Sequence, residues 1–527
     1  GWTGNTARVE GGGLREQTDG PDKPGKTDDP LQAAMREALL KQLTNTGTPS
    51  LSDPALAAQS NAYRVTRDRA AGQERAALAE RDDEGREEAL RRLWPYLDDH
   101  PDDLGALYIL GGIFIKSEKP GMAYQLYKRA SEIAPHEGAV WHNLGKSLYD
   151  CRKVDEAETC FRRALKLKPE FANPLDALAL VHLKRCEYDA ALAFAERALA
   201  VSPELLEPKI NRGMCNLAMR KWRAGWPEYN LNIGVEANRN ELTYGKATRW
   251  AGEQGKKIIC YGEQGIGDEI SFASCLPDLI RDSREVVIDC DGRLKNLFRR
   301  SFPQCEVHGS RYTKGRQPWH DKHEFDHRVC IGALPQFYRN EDADFPGTPY
   351  LVASPEMNIQ WRALLDSLGP GLKVGLSWVG GGLHTGRSWR SVSLDTLLPI
   401  LKLPCHWVSL QYQDPWDDIE AFEAKYGIKI HHWPHGTQLF DYDVTASLIS
   451  QLDLVISVTT TAIHMAGALG KECWCLVPLR PMWRYGGTGE DFPWAKSVTL
   501  FRQKGREWPV HLIAGKLRDK IDSRSAG

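Results

Sequence analysis

An α-helical solenoid followed by an α/β region with two doubly wound, parallel-sheet lobes is the fold class this sequence predicts. Three observations predict it. Prolines and small residues recur every 34 residues between about 100 and 205. From about 255 onward, short β-rich runs alternate with amphipathic helical segments, the pattern of parallel sheets with covered faces. A linker near 345–370 splits that alternation into two series.

The chain has 527 residues, enough for two or three domains. Its 68 Lys+Arg against 70 Asp+Glu give a net charge of −2. Phosphate neutralisation needs a cationic excess, so no nucleic-acid partner is expected. A hydrophobic fraction of 42% suits a globular core. No apolar run reaches membrane-spanning length; Tyr108–Ile115 is stopped by Lys116. No basic segment followed by an apolar one opens the chain, so no secretory leader and a cytoplasmic location are the expectation. The 12 cysteines form no C-x-x-C pair and read as reduced, mostly buried thiols. No Cys/His cluster at metal-ligand spacing is visible, so no metal is expected.

Residues 1–54 are rich in Gly, Pro, Thr and Asp, and only Leu31–Leu43 carries a helical apolar pattern. Such a segment has too little apolar surface to offset its ordering entropy and is predicted to be largely disordered. Residues 55–235 hold the repeats. Pro135, Pro169 and Pro203 keep the 34-residue period, as do Ala130, Ala164, Ala198 and Ala123, Ala157, Ala191. Leu110, Leu144 and Leu178 follow it, each with a small residue next: Gly111, Gly145, Ala179. The small residues let paired helices cross closely, the large ones fill the space between, and proline ends each unit. This pattern resembles the tetratricopeptide repeat. By repeat phase its concave face carries Tyr108, His142, Lys146, Tyr149, Asn173 and Asp176. The last unit loses its consensus at Trp226 and Tyr229, as a capping repeat does.

The first α/β lobe is placed at 236–355, the second at 356–527. Lys257–Tyr261 and Glu285–Asp289 read as strands of the first. Lys373–Trp378, His406–Leu410, Ile428–His432, Leu454–Ser457 and Cys473–Pro478 read as strands of the second. In such sheets a ligand sits beyond the carboxyl ends of the strands. Three segments stand there. The turn Gly262–Asp268 opens a helix, with Asp268 either a helix cap or a group projecting into a cleft. The run Thr459-Thr460-Thr461 leads into a small-residue helix, whose N-terminus would cap itself or hold a diphosphate; His464 lies one turn further in. The segment His384–Ser391 is basic and aromatic. It is either a solvated loop or a phosphate contact through arginine.

Residues 256–510 resemble the glycosyltransferase-like domain fused to tetratricopeptide repeats in many bacterial proteins. That domain is similar to the heptosyltransferase family and, more distantly, to protein O-linked N-acetylglucosamine transferases. The matching segments are Gly262–Asp268, Val374–Trp378, Arg390–Val392, Val408–Gln411, Asp453–Val458 and His464–Gly470, with the join Gly225-Trp226-Pro227-Glu228-Tyr229. The resemblance implies two Rossmann-like lobes of GT-B type, a metal-independent reaction without cofactor, and a nucleotide-sugar donor held mainly by the second lobe. It implies Asp268 as general base. It implies donor contacts from Ser377, Trp378, Arg390, Ser391, Gln411, Thr459, Thr460, Thr461 and His464. At Thr459 the family usually has aspartate, and the threonine run is instead similar to that of protein O-glycosyltransferases. The implied activity is sugar transfer to a hydroxyl of a protein recruited by the repeats. The alternative is a repeat scaffold whose transferase-like domain is inactive. Homo-oligomerisation stays open.

Overall fold

The computed structural model describes residues 83–235, 239–313, 315–381, 387–412, 414–437 and 440–525. The N-terminal segment 1–54, the start of the repeat region to residue 82, and most of the loop before Arg387 lie outside the described residues. The chain divides into two compact units, with the boundary between Pro169 and Glu170, inside the repeat run.

The first unit contains helices Asp83–Asp99, Leu104–Lys116, Pro120–Ile133, Gly138–Asp150 and Val154–Leu167. Successive helices pack as antiparallel pairs, and the small-residue columns explain how. A Cβ on Gly111 would sit 2.5 Å from the Tyr127 ring, and one on Gly145 would sit 2.6 Å from the Phe161 ring. Ala123, Ala130, Ala157 and Ala164 are fully buried. Periodicity also appears in the backbone. Among the described residues, Glu118, Arg152, Cys186 and Arg220 are the non-glycine residues with positive φ (56°, 64°, 61° and 59°), each 34 residues after the last. In every case the next N–H reaches back five residues, as in Lys119 N to Phe114 O at 2.8 Å and Lys153 N to Leu148 O at 2.9 Å. This left-handed turn satisfies the end carbonyls of each first helix and redirects the chain into the second.

The second unit opens with helices Ala172–Lys184, Tyr188–Val201, Leu206–Ala218 and Trp222–Tyr229. The last pair again meets at glycines: a Cβ on Gly213 would lie 2.6 Å from the Tyr229 N. Two parallel sheets follow. The first contains β1 (Thr248–Arg249), β2 (Lys257–Tyr261), β3 (Glu285–Asp289), β4 (Glu306–His308) and β5 (His327–Cys330), in the order β1-β5-β2-β3-β4. The second contains β6 (Lys373–Ser377), β7 (His406–Ser409), β8 (Ile430–His431), β9 (Leu454–Val458), β10 (Cys473–Val477) and β11 (Val498–Arg502), in the order β11-β10-β9-β6-β7-β8. Both are wound outward from a central pair, β2/β5 and β6/β9, which are the switch points where doubly wound sheets leave a crevice. The architecture is therefore a helical-repeat solenoid followed by two Rossmann-like lobes of the GT-B kind.

One apolar cluster runs through the second unit, from Trp222 and Trp226 through Phe272 to Trp483 and Trp494. Trp226 is fully buried, donates its indole N–H to Arg339 O at 2.6 Å and meets Trp483 edge-on at 5.5 Å. The Trp226–Tyr229 join is thus a packed joint. All twelve cysteines are free thiols, nine of them buried. Among the described residues no helix is long and apolar enough to cross a membrane.

Candidate functional site

The two switch points face each other through short helices. After β2, the chain turns through Gly262–Gly265 into helix Ile266–Phe272, capped by Gly265 rather than Asp268. Gly262 is required there, because a Cβ would lie 2.3 Å from the Glu269 carboxylate. Asp268 stands in the first turn, with about a quarter of its side chain exposed, and forms an ion pair with the buried Arg484 guanidinium of the other lobe. Arg484 also lies over the Phe272 and Trp483 rings.

Behind Asp268 the first lobe buries charge. Glu263 pairs with Arg239 at 2.9 Å, and both side chains are almost fully buried. Arg239 also donates to Tyr229 O, Asn230 Oδ1 and Asn232 Oδ1 at 3.2, 3.1 and 2.8 Å. Glu269 accepts the Asp291 N–H at 2.8 Å and faces Arg311 at 3.3 Å. Burial pushes its carboxyl up to about 8, against the pull of Arg311. These groups hold the glycine turn in place through charge-assisted bonds.

In the second lobe, β9 ends at Val458 and helix Thr461–Ala468 begins after Thr459 and Thr460. Thr460 is the cap: its hydroxyl accepts the Ala462 N–H at 3.3 Å and bonds Ser457 Oγ at 3.0 Å. Thr459 receives Arg390, whose Nε reaches Thr459 Oγ1 at 3.3 Å and whose Nη2 reaches its carbonyl. The threonine run and the arginine, 69 residues apart, therefore meet. Thr460 and Thr461 open onto a cleft lined by Leu410, Tyr412, Tyr442, Thr445 and Met465.

His464 is buried and bridges the lobes. Its Nδ1 lies 2.7 Å from Ser271 Oγ and its Nε2 lies 3.2 Å from the Tyr485 hydroxyl. Burial, aided by Arg484 and Arg390, holds it well below the usual histidine range, so it is neutral. Gly267 admits this contact: a Cβ there would come within 3.2 Å of the His464 ring.

The other sequence-predicted donor residues are placed differently. Ser377 and Trp378 are buried. Gln411 accepts from Ser377 Oγ, Trp378 N and Val379 N at 3.3, 3.3 and 3.1 Å, and donates to Val379 O at 3.1 Å. Trp378 donates to Asp418 at 2.8 Å. Ser391 accepts the Gly380 N–H at 3.1 Å. This group shapes the turn after β6 and uses its polar atoms internally. Sequence reasoning gave no role to Arg484, Glu263, Glu269, Arg239, Arg311 or the cleft residues Tyr412, Tyr442 and Thr445. Arg484 had a signal: it sits in the basic, aromatic loop 481–486 after the last predicted strand, a loop comparable to His384–Ser391.

The repeat-face residues fall in both units. In the first, Tyr108 sits 6.0 Å from the Tyr127 ring. His142, Lys146 and Tyr149 share one side of helix Gly138–Asp150. Burial and Lys146 lower His142 to about 4, and burial raises Tyr149 to about 12. In the second unit Asn173 is exposed, while Asp176 accepts from Asn211 at 2.7 Å and is raised by burial to about 6.

A tetratricopeptide-repeat family model matches residues 138–171. Protein FlbA of Caulobacter vibrioides is 30% identical over 419 residues, which cover 76% of this chain and 70% of FlbA. A glycosyl transferase family 9 structure from Veillonella parvula is 11% identical, covers 54% of this chain and 98% of its own, and superposes with a TM-score of 0.37. A structure of MamA is 18% identical, covers 29% of this chain and 90% of its own, with a TM-score of 0.26. At that identity and coverage to FlbA, this chain of helical repeats and two doubly wound lobes belongs to the FlbA family.

Proposed function

We propose that this protein is a glycosyltransferase that moves a sugar from a nucleotide-sugar donor to a hydroxyl of a protein acceptor recruited by its repeats. One observation carries the reading. At the switch point of the second lobe, a threonine-capped helix N-terminus opens onto a cleft with two tyrosines, with Arg390 docked on the preceding residue. Tyr412 and Tyr442 line the space a base would take. The helix end and Arg390 offer positive potential to a diphosphate leaving group. Asp268 stands across the junction on the first lobe, where a carboxylate would take the proton of an incoming hydroxyl. In this reading Arg484 bonds Oδ1 and orients the carboxylate, and Oδ2 receives the acceptor. Donor binding rests on side chains and backbone of this chain, with no metal.

The Asp268–Arg484 pair also favours a second reading, a scaffold that binds nucleotide without transfer. The Arg484 guanidinium occupies the carboxylate and competes with an acceptor hydroxyl for it.

Incubation of the full chain with a panel of nucleotide sugars, scored for hydrolysis and for transfer to protein, separates the readings. Transfer predicts hydrolysis of at least one donor, abolished by Asp268→Asn with nucleotide affinity unchanged. Nucleotide binding with no turnover of any donor would support the scaffold. Replacing Tyr108, His142 and Tyr149 together should remove protein modification while sparing donor hydrolysis; equal modification by that variant would sink the recruitment role.

A further inference from the structure

In the first lobe, the described residues of the connection from β4 to β5 contain no α-helix. Doubly wound sheets usually cover their face with a helix at such a crossover. Here residues of the segment do the covering themselves. Trp319 and Phe325 pack on Tyr244, Ile259, Tyr261, Val287 and Cys330, a small cluster on one face of the sheet. The segment's regular structure within the described residues is a short 3-10 turn at Pro318–Lys322.

Three side chains at this junction converge. Glu306 and His308 lie two residues apart on β4, so they share one face of the sheet edge. His323 comes from the covering segment. Their ligand atoms all lie within 4.8 Å of one another. Glu306 turns one oxygen to each imidazole: Oε1 is 2.8 Å from His308 Nε2, and Oε2 is 3.2 Å from His323 Nε2. Yet neither approach has hydrogen-bond geometry. His308 Nε2 and both ring nitrogens of His323 are buried atoms with no hydrogen-bond partner. The His323 side chain is only 7% exposed. The rings are fixed by stacking, His308 on Trp319 at 3.8 Å and His323 near Phe325 at 5.3 Å. A buried imidazole nitrogen without a partner is costly and calls for an explanation. Nitrogens and oxygens brought close but not aimed along each other's bonds suit a shared central atom.

We propose that Glu306, His308 and His323 form a binding site for a divalent transition-metal ion, zinc first, which fastens the segment 309–326 to the sheet edge. Two imidazoles and a carboxylate match zinc and its first-row neighbours. Calcium and magnesium prefer all-oxygen sets. Three protein ligands leave a position for water. Because the site joins an edge strand to a long connection, its binding energy adds to the stability of the first lobe. It is independent of the donor cleft, which lies in the second lobe.

The test uses the full, tag-free chain stripped with a chelator and titrated with zinc by calorimetry, with cobalt(II) as a spectroscopic substitute. The expected result is one zinc per chain, with Kd of about 10 µM or tighter. Zinc should raise the melting temperature. His323→Ala should abolish both effects, and Glu306→Gln, at a half-exposed position, should weaken binding at least tenfold while remaining folded by circular dichroism. Cobalt should give visible bands of a nitrogen–oxygen site in the parent, lost in His323→Ala. Absence of zinc binding in that range would overturn the assignment. So would unchanged binding by both variants, or a thiolate-to-cobalt charge-transfer band placing the metal on cysteine.

Discussion

The two lobes build their sides of the site from different materials. The first lobe holds its glycine turn with buried charge, the Arg239–Glu263 ion pair and the Arg311 guanidinium against Glu269, whose carboxyl is pushed up to about 8 by burial. The second lobe shapes the turn after β6 with a neutral group, the Gln411 amide, and the turn after β9 with the hydroxyls of Ser457 and Thr460 beside the Arg390 guanidinium on Thr459. Its six strands are buried between two apolar clusters, whereas one face of the first sheet has only a small aromatic patch. A well-packed lobe can position a turn with neutral bonds of modest net worth. A lightly covered lobe leans on charge, which orients strongly and is costly to disturb.

The sharpest way to break this contrast is to remove one charge on the first side. Arg239→Ala strands Glu263 and three further acceptors, and should cost about 3–5 kcal/mol in denaturant unfolding. Gln411→Ala removes neutral bonds and should cost about 1–3 kcal/mol. Equal losses would erase the distinction.

The lobes should also respond to pH in opposite directions. Glu269 is raised by burial to about 8, so between its unfolded value near 4.5 and pH 8 the folded state holds a proton that the unfolded state has lost. Its contribution is complete below that window and is lost as pH rises through it. His464 is depressed, so below about 6.5 the unfolded state gains a proton the folded state refuses, and stability falls as pH falls. Glu269→Gln should flatten the alkaline side of the stability curve by about 1–3 kcal/mol, and His464→Gln the acid side. Parallel curves for parent and variants would remove these groups from the linkage.

A nucleotide should distinguish the lobes by affinity. Arg390→Ala is expected to weaken nucleoside diphosphate binding at least tenfold, about 1.4 kcal/mol by calorimetry, while Arg239→Ala chiefly lowers stability. Equal affinity for Arg390→Ala and parent would remove Arg390 from the phosphate site. The smallest effect should appear where the lobes touch. Gly267→Ala places a Cβ 3.2 Å from His464, which is pinned on both ring nitrogens, so the gain in helix propensity should be outweighed by a net loss of about 1 kcal/mol. A stabilised Gly267→Ala would show that the junction yields.

Local pattern carried the solenoid, because tetratricopeptide units bury their faces on sequence neighbours. The columns of Gly111, Gly145, Ala123 and Ala157 follow directly from helix crossing distance. Strands β2, β3, β6, β7, β8, β9 and β10 were legible as largely apolar runs, most of them covered on both faces. Strands β1 and β4, two and three residues long, and β5, which begins His327-Arg328, gave too short or too polar a signal. The glycine turn, the threonine run and Arg390 were legible as chemistry at strand ends. Their pairing across 69 residues was not.

By itself, the sequence determined the repeat period, the alternation that makes parallel sheets, and the segments that end at the crevice. Each depends on interactions over a few residues. Tertiary structure alone decided which groups meet. Asp268 meets Arg484 across 216 residues, His464 meets Ser271 across 193, and His323 reaches Glu306 and His308 across a sheet edge. Such pairings are set by strand order and lobe packing, because charge and hydrogen-bond energies depend on distance in space, while sequence records distance along the chain.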